Sequence, residues 1–223
     1  MRTALLDLDG TLVASGSLIV EHLARAIAHV GLPVPERAVL ETFVGPPFEV
    51  ALPAIGLTPA QTRAVVLAYR ATYDPVAATH TPVYPGVPAM LGRLHAAGIR
   101  LAIATSKPEH LARSIATGAG IDTHVAVICG ADDTVGRIGK DKVVGEALRR
   151  LAIDPATDRV LMVGDRHHDV DGAAAHGVRC VGADWGYGRP GELAGAELVV
   201  PDVAALEATL LAAETWTIPG AAA

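Results

Sequence analysis

Thr3-Ala4-Leu5-Leu6-Asp7-Leu8-Asp9-Gly10-Thr11-Leu12 decides how this chain is read. Its apolar residues follow one another without helical spacing, as in a strand covered on both faces. Side chains alternate along an extended backbone, so Asp7 and Asp9 point the same way. Gly10 permits a sharp turn off the strand tip. Two neighbouring carboxylates repel, and a bound divalent cation is the simplest counter-charge. An acidic, solvated turn is the bland alternative, and the apolar strand leading into the two acids speaks against it.

Beyond Thr11 the pattern becomes helical. Helices are expected over Ser17–Val30, with Ser17 as N-cap, and over Glu36–Val44. A short one at Phe48–Ile55 is interrupted at Pro53, and a long one from Pro59 towards Tyr73 is capped by Thr58. From Val87 onward strands and helices alternate. Strands are expected at Arg100–Thr105, Val125–Cys129, Arg159–Gly164, Val178–Gly182 and Glu197–Val200. Such alternation builds a parallel sheet with helices on both faces. The expected fold is therefore α/β, a doubly wound, Rossmann-like core made of residues 1–13 and 84–214. An all-helical cap, 14–83, is inserted after the first strand, and an Ala/Gly-rich tail, 215–223, reads as frayed.

In open parallel sheets ligands bind beyond the carboxyl ends of the strands. Three further segments are expected there: Thr105-Ser106-Lys107-Pro108, Gly136-Arg137-Ile138-Gly139-Lys140-Asp141-Lys142 and Gly164-Asp165-Arg166-His167-His168-Asp169. Hydroxyls and free amides at a helix start suit a phosphate oxygen, although an ordinary helix cap would look the same. Asp165 and Asp169 lie one helical turn apart and face Asp7 and Asp9, which makes an oxygen-rich site of the kind Mg²⁺ prefers. His167 and His168 lack the further Cys or His of a zinc site and read as loop residues.

Asp7-Leu8-Asp9-Gly10-Thr11 resembles the nucleophile motif of the haloacid-dehalogenase-like phosphatases, and the later segments resemble that family's other motifs in the same order. Trp185-Gly186-Tyr187-Gly188 is similar to a segment of its phosphoglycolate-phosphatase-like branch. The resemblance implies an aspartyl-phosphate on Asp7, with Asp9 as general acid and base. It implies phosphate binding by Thr105, assisted by Ser106 and Gly10, and by a lysine at a helix start. Lys140 fits that lysine better than Lys142 by its offset from Val143-Val144. For Mg²⁺ it implies Asp7, the backbone carbonyl of Asp9 and Asp165 as ligands, with Asp169 supporting them. Leu8 stands where an aromatic residue is common, and Ala14 where Asp or Asn often follows.

The expected activity is Mg²⁺-dependent hydrolysis of small phosphomonoesters, phosphoglycolate phosphatase-like. A 5′-nucleotidase-type phosphatase, a phosphosugar mutase-like transferase and a non-catalytic phosphate-binding module are the alternatives. A phosphonatase would need a cap lysine, and 14–83 contains none. A net charge of −6 argues against nucleic acid and anionic membranes as partners. Gly186-Tyr187-Gly188-Arg189-Pro190-Gly191 matches a dinucleotide-binding pattern but lies far from the first strand and contains Pro190. Cys129 and Cys180 read as buried thiols of a reducing cytosol. With no signal peptide read at Met1, the expectation is a cytoplasmic monomer or homodimer acting on a small phosphorylated metabolite.

Overall fold

The computed structural model describes residues 1–217. The first strand, β1 (Arg2–Leu6), is followed by the helices α1 (Gly16–His29), α2 (Arg37–Glu41), α3 (Phe48–Ala51) and α4 (Pro59–His80). Then come α5 (Val87–Ala96), β2 (Arg100–Pro108), α6 (Glu109–Gly118), β3 (Val127–Ala131), α7 (Lys140–Leu151), β4 (Arg159–Gly164), α8 (His167–Ala174), β5 (Arg179–Ala183), β6 (Leu198–Val200) and α9 (Val203–Leu211). The six strands form one parallel sheet in the order β3-β2-β1-β4-β5-β6. The fold is thus the expected α/β, doubly wound one.

Strand periodicity explains the two-sided core. Leu6 packs with Ile103 and Val163 on one face, joined by Leu91 of α5, Ile115 of α6 and Leu206 of α9. Leu5 turns the other way and packs with Ala102 and Met162 under Val144 of α7 and Ala173 of α8. Chain order reverses between β1 and β4, so the tips of these neighbours frame the switch-point crevice of an open sheet. Asp7 and Asp9 leave one tip and Asp165 leaves the other.

The helical segment from α1 to α4 leaves and re-enters the core at one place. Ala14 N donates to Pro82 O at 2.8 Å, Tyr84 N donates to Leu12 O at 3.1 Å, and Val13 bridges antiparallel to Val83. The cap on α4 is the expected one: Thr58 and Gln61 form a reciprocal capping box with Pro59 in the first turn.

Four local expectations need correction. Helix α1 begins one residue before Ser17, and Ser15 rather than Ser17 occupies the cap position, with no side-chain cap bond. The Gly16 amide donates instead to the Tyr187 hydroxyl at 2.6 Å. Helix α4 continues to His80, straight through Pro75. Proline forfeits the bond to the Ala71 carbonyl, but Tyr73 and Ala77 on either side are fully buried, and that burial outweighs one lost bond. Strand β2 runs on to Pro108, so Thr105, Ser106 and Lys107 extend the strand tip, and α6 starts only at Glu109. The tail expected to fray at Thr215 is ordered over its first residues. Trp216 is buried and donates its indole N–H to Leu210 O at 2.8 Å, which an Ala/Gly-weighted reading overlooked. Residues 218–223 lie outside the described part of the chain.

Candidate active site

The tips of β1, β2 and β4 and the start of α7 converge. Asp7, Asp9, Thr105, Lys140, Asp165 and Asp169 are all buried. The Lys140 Nζ lies 2.7 Å from Asp7 Oδ1 and 2.6 Å from Asp169 Oδ1, and donates to Ala104 O at 3.1 Å. Gly139, with φ of 99°, introduces α7 so that Lys140 is its first residue. Gly172 of α8 lets that side chain pass, because a Cβ there would come within 2.6 Å of Lys140 Cγ. Lys142 points elsewhere and donates to the Gly136 carbonyl on the surface. The geometry therefore separates the two lysines that the sequence left adjacent.

Oxygen atoms of Asp7, Asp165 and Asp169 lie within 4.8 Å of one another. Asp165 accepts from Thr11 Oγ1 at 3.3 Å and from the Tyr187 amide at 2.7 Å. Asp169 accepts the Arg166 amide at 3.0 Å. Burial pushes the Asp7 carboxyl up to about 6, with Lys140 opposing and Asp169 adding to the rise. Burial, then repulsion from Asp169 and Asp7, raises Asp165 well above the ordinary carboxylate range. Burial alone would lower Lys140, but its two carboxylate neighbours hold it above the usual lysine value and keep it charged.

Three carboxylates around one ammonium leave the cluster short of positive charge. Asp7 Oδ1 and Asp169 Oδ1 are buried and, although in ionic contact with Lys140, have no aligned hydrogen bond. An all-oxygen donor set with this deficit fits a hard divalent cation. Asp9 does not join the carboxylate cluster. Its Oδ2 lies 2.8 Å from the Lys107 Nζ, and its Oδ1 is buried without a hydrogen-bond partner.

Lys107 was missed from sequence as a site residue. It is buried, donates to the Tyr73 hydroxyl of α4 at 3.1 Å and sits 5.0 Å from the Tyr73 ring centre. A lysine directly after a strand-tip Thr-Ser was the available signal. Arg166, inside the Gly-Asp-x-x-x-Asp motif, was also missed. Its guanidinium pairs with Glu192 at 2.6 Å and donates to the Val44 carbonyl in the helical insertion, beside Gly45. His167 also meets Glu192, at 3.0 Å, so it serves this loop contact.

Thr105, Ser106, Asp7, Asp9 and Lys140 line one small recess, together with Gly45 and His168. Gly10, expected beside phosphate, abuts Asp165: its φ is 85° and a Cβ would lie 2.2 Å from Asp165 Oδ2. The same close approach explains Gly186 and Gly188 of the dinucleotide-like stretch. A Cβ at Gly186 would meet Asp165 Cβ at 2.2 Å, and one at Gly188 the Asp165 carbonyl at 2.3 Å. Those glycines make room for a carboxylate-bearing strand tip.

Two buried carboxylates just beyond β1, a lysine at the start of α7, Asp165 just beyond β4 and Asp169 in α8 meet at the switch point of a Rossmann-like sheet. The chain belongs to the haloacid dehalogenase-like hydrolases, whose family model matches residues 4–183. It is 45% identical over 188 residues to tyrosine-protein kinase PtkA of Mycobacterium tuberculosis, covering 84% of this chain and 64% of that one, so it spans less than two thirds of that relative's length. It is 34% identical to a 5′-nucleotidase of Pseudomonas aeruginosa over 85% of each chain. It is also 34% identical to a phosphoglycolate phosphatase of Rhodospirillum rubrum over 92% of this chain and 89% of the relative. Among solved structures it superposes on a predicted phosphatase from Clostridium acetobutylicum with a TM-score of 0.87 and 28% identity, over 94% and 98% of the two chains. Among the described residues no helix is long and apolar enough to cross a membrane.

If Lys140 is the cation facing the transferred group, Lys140→Ala should lower kcat on the order of 10²-fold or more, as loss of other preorganised charges does. Lys142→Ala should stay within about twofold, since removing an exposed lysine away from the site disturbs little. Steady-state kinetics of the two variants, side by side, check this; the reverse pattern would exchange their roles.

Proposed function

We propose that the chain is a Mg²⁺-dependent phosphatase of small phosphomonoesters. One observation carries the reading: Asp7 is held against Lys140 in a buried recess shared with Asp9, Thr105 and Ser106, beside two further carboxylates. A carboxylate oxygen of Asp7 attacks phosphorus as the ester P–O bond breaks. Asp9 passes a proton to the departing alkoxide. Asp9 then takes a proton from water, which attacks the aspartyl-phosphate and releases inorganic phosphate and the Asp7 carboxylate. Lys140 and the Thr105 hydroxyl hold the equatorial oxygens throughout. Asp7, the Asp9 carbonyl and Asp165 would hold Mg²⁺, supported by Asp169. When bound, Mg²⁺ would supply positive charge to the phosphoryl oxygens. The helical insertion, as a cap, excludes bulk water from the recess.

The test is release of p-nitrophenolate from p-nitrophenyl phosphate in Mg²⁺, with mass spectrometry of acid-quenched protein. One added phosphoryl group on the peptide containing Asp7 is expected. Turnover without any label on that peptide would exclude the aspartyl-phosphate route. The 45% identity to a tyrosine-protein kinase favours a second reading, in which a tyrosine hydroxyl takes the place of water as acceptor. Labelled ATP with a tyrosine peptide separates the two: the peptide becomes phosphorylated only under the second reading.

A further inference from the structure

Two residues of the core hold the carboxylate cluster with their backbone and the helical insertion with their side chains. The Tyr187 amide donates to Asp165 Oδ2 at 2.7 Å, and the Tyr187 hydroxyl accepts the amide of Gly16, the first residue of α1, at 2.6 Å. The Arg166 amide donates to Asp169 Oδ2 at 3.0 Å, and the Arg166 guanidinium, held by Glu192, donates to the Val44 carbonyl. Tyr187 grips the insertion at its joint with the core, and Arg166 grips it over the recess.

The Tyr187 link has little slack. Gly186 and Gly188 press on Asp165 so closely that no Cβ would fit at either. Thr11 donates its hydroxyl to Asp165 Oδ1 at 3.3 Å, and its carbonyl accepts the Trp185 indole N–H at 3.2 Å. Asp165, Thr11, Trp185 and Tyr187 thus form a closed ring of contacts, and the stretch from Trp185 to Gly188 follows any shift of the Asp165 carboxyl. At the far end a Cβ on Gly16 would lie 2.6 Å from the Tyr187 ring. Contacts packed this tightly transmit a displacement instead of absorbing it.

Oxygens of Asp7, Asp165 and Asp169 lie within 4.8 Å of one another and repel when ionised, whereas a cation among them draws them to fixed positions. Fixing Asp165 fixes the Trp185–Gly188 stretch and, through Tyr187, the start of α1. We propose that Tyr187 is a positioning residue that couples divalent-cation occupancy of the carboxylate cluster to the seating of the helical insertion, occupancy tightening the joint at Gly16. This rests on the metal site of the phosphatase reading above. Such coupling is reciprocal, so a slackened joint weakens cation binding by the same factor.

The experiment is amide hydrogen–deuterium exchange of the full chain with and without Mg²⁺, read at Gly16, alongside calorimetric titration with Mg²⁺. In wild type, Mg²⁺ should slow exchange at Gly16 about fivefold or more. Tyr187→Phe removes the hydroxyl and keeps the amide on Asp165. There Mg²⁺ should still bind, with Kd raised by about the factor lost at Gly16, and should no longer slow that amide. A merely structural hydroxyl would speed Gly16 exchange equally with and without Mg²⁺. That pattern overturns the coupling and leaves the metal site and the phosphatase reading standing. So does a wild type that binds Mg²⁺ with no change at Gly16. If Tyr187→Phe does not fold, the wild-type response alone decides. A wild type that binds no Mg²⁺ removes the metal site and this inference with it.

Discussion

Asp7→Asn should abolish phosphate release, with kcat lower by on the order of 10⁴-fold or more, while the protein still folds. The amide keeps the shape of the side chain but is not a nucleophile. It also takes one negative charge out of a crowded group of three, so the fold loses Lys140's contact to Asp7 yet sheds carboxylate repulsion. Lys140 keeps Asp169 at 2.6 Å. A melting temperature within about 5 °C of wild type is therefore expected, a shift that corresponds to little more than 1–2 kcal/mol in a chain of this size. The check is steady-state kinetics with thermal unfolding on the same preparation. A folded Asp7→Asn protein with near wild-type turnover would require another nucleophile.

Removing divalent metal should have an effect of similar size. Excess chelator should silence hydrolysis, and Mg²⁺ should restore it. Ca²⁺ should not, because it takes longer bonds and more ligands than a compact three-carboxylate cluster provides. Binding also has a consequence independent of catalysis. A cation that binds only the folded state stabilises it by about 2.7 kcal/mol at a hundredfold excess over its Kd. For a chain of this length that is roughly 5–10 °C in melting temperature. Wild type should show this rise and Asp165→Asn should not. Undiminished turnover in chelator, or an equal rise in both proteins, would rule the cluster out as the metal site.

Much of this molecule was legible because its strands are short, apolar and bounded by turn residues. The order of β1 to β6 and the start of α7 at Lys140 followed from that pattern. Asp7, Asp9, Asp165 and Asp169 stood out because carboxylates at the ends of buried strands are costly without a purpose. Features that depend on distant packing were hidden. Nothing local shows that Pro75 sits inside a helix held by Tyr73 and Ala77, or that Trp216 returns to the core. Lys107 and Arg166 were hidden for a related reason. Each reads as a solvated loop cation until the fold supplies its partners, Asp9 with Tyr73 for one and Glu192 with Val44 for the other. The glycines at 186 and 188 imitated a nucleotide motif because close backbone approach to any bulky acidic group demands the same residue.

The stitching of Ala14 to Pro82 and of Leu12 to Tyr84 bears on how such a molecule can vary. Seen from the sheet, everything between Val13 and Val83 is a closed excursion that begins and ends at one point. The entropy of closing an excursion grows only with the logarithm of its length, about 0.6 kcal/mol per doubling. Closure alone therefore adds little to the cost of lengthening or shortening this one, and what ties it to the core is packing and the contacts of Tyr73 with Lys107, Val44 with Arg166 and Gly16 with Tyr187. Under the function proposed above, chemistry and choice of substrate would sit on separate pieces of chain. The joint between them, the bridge from Val13 to Val83, is where a graft of a different excursion onto this core would be made.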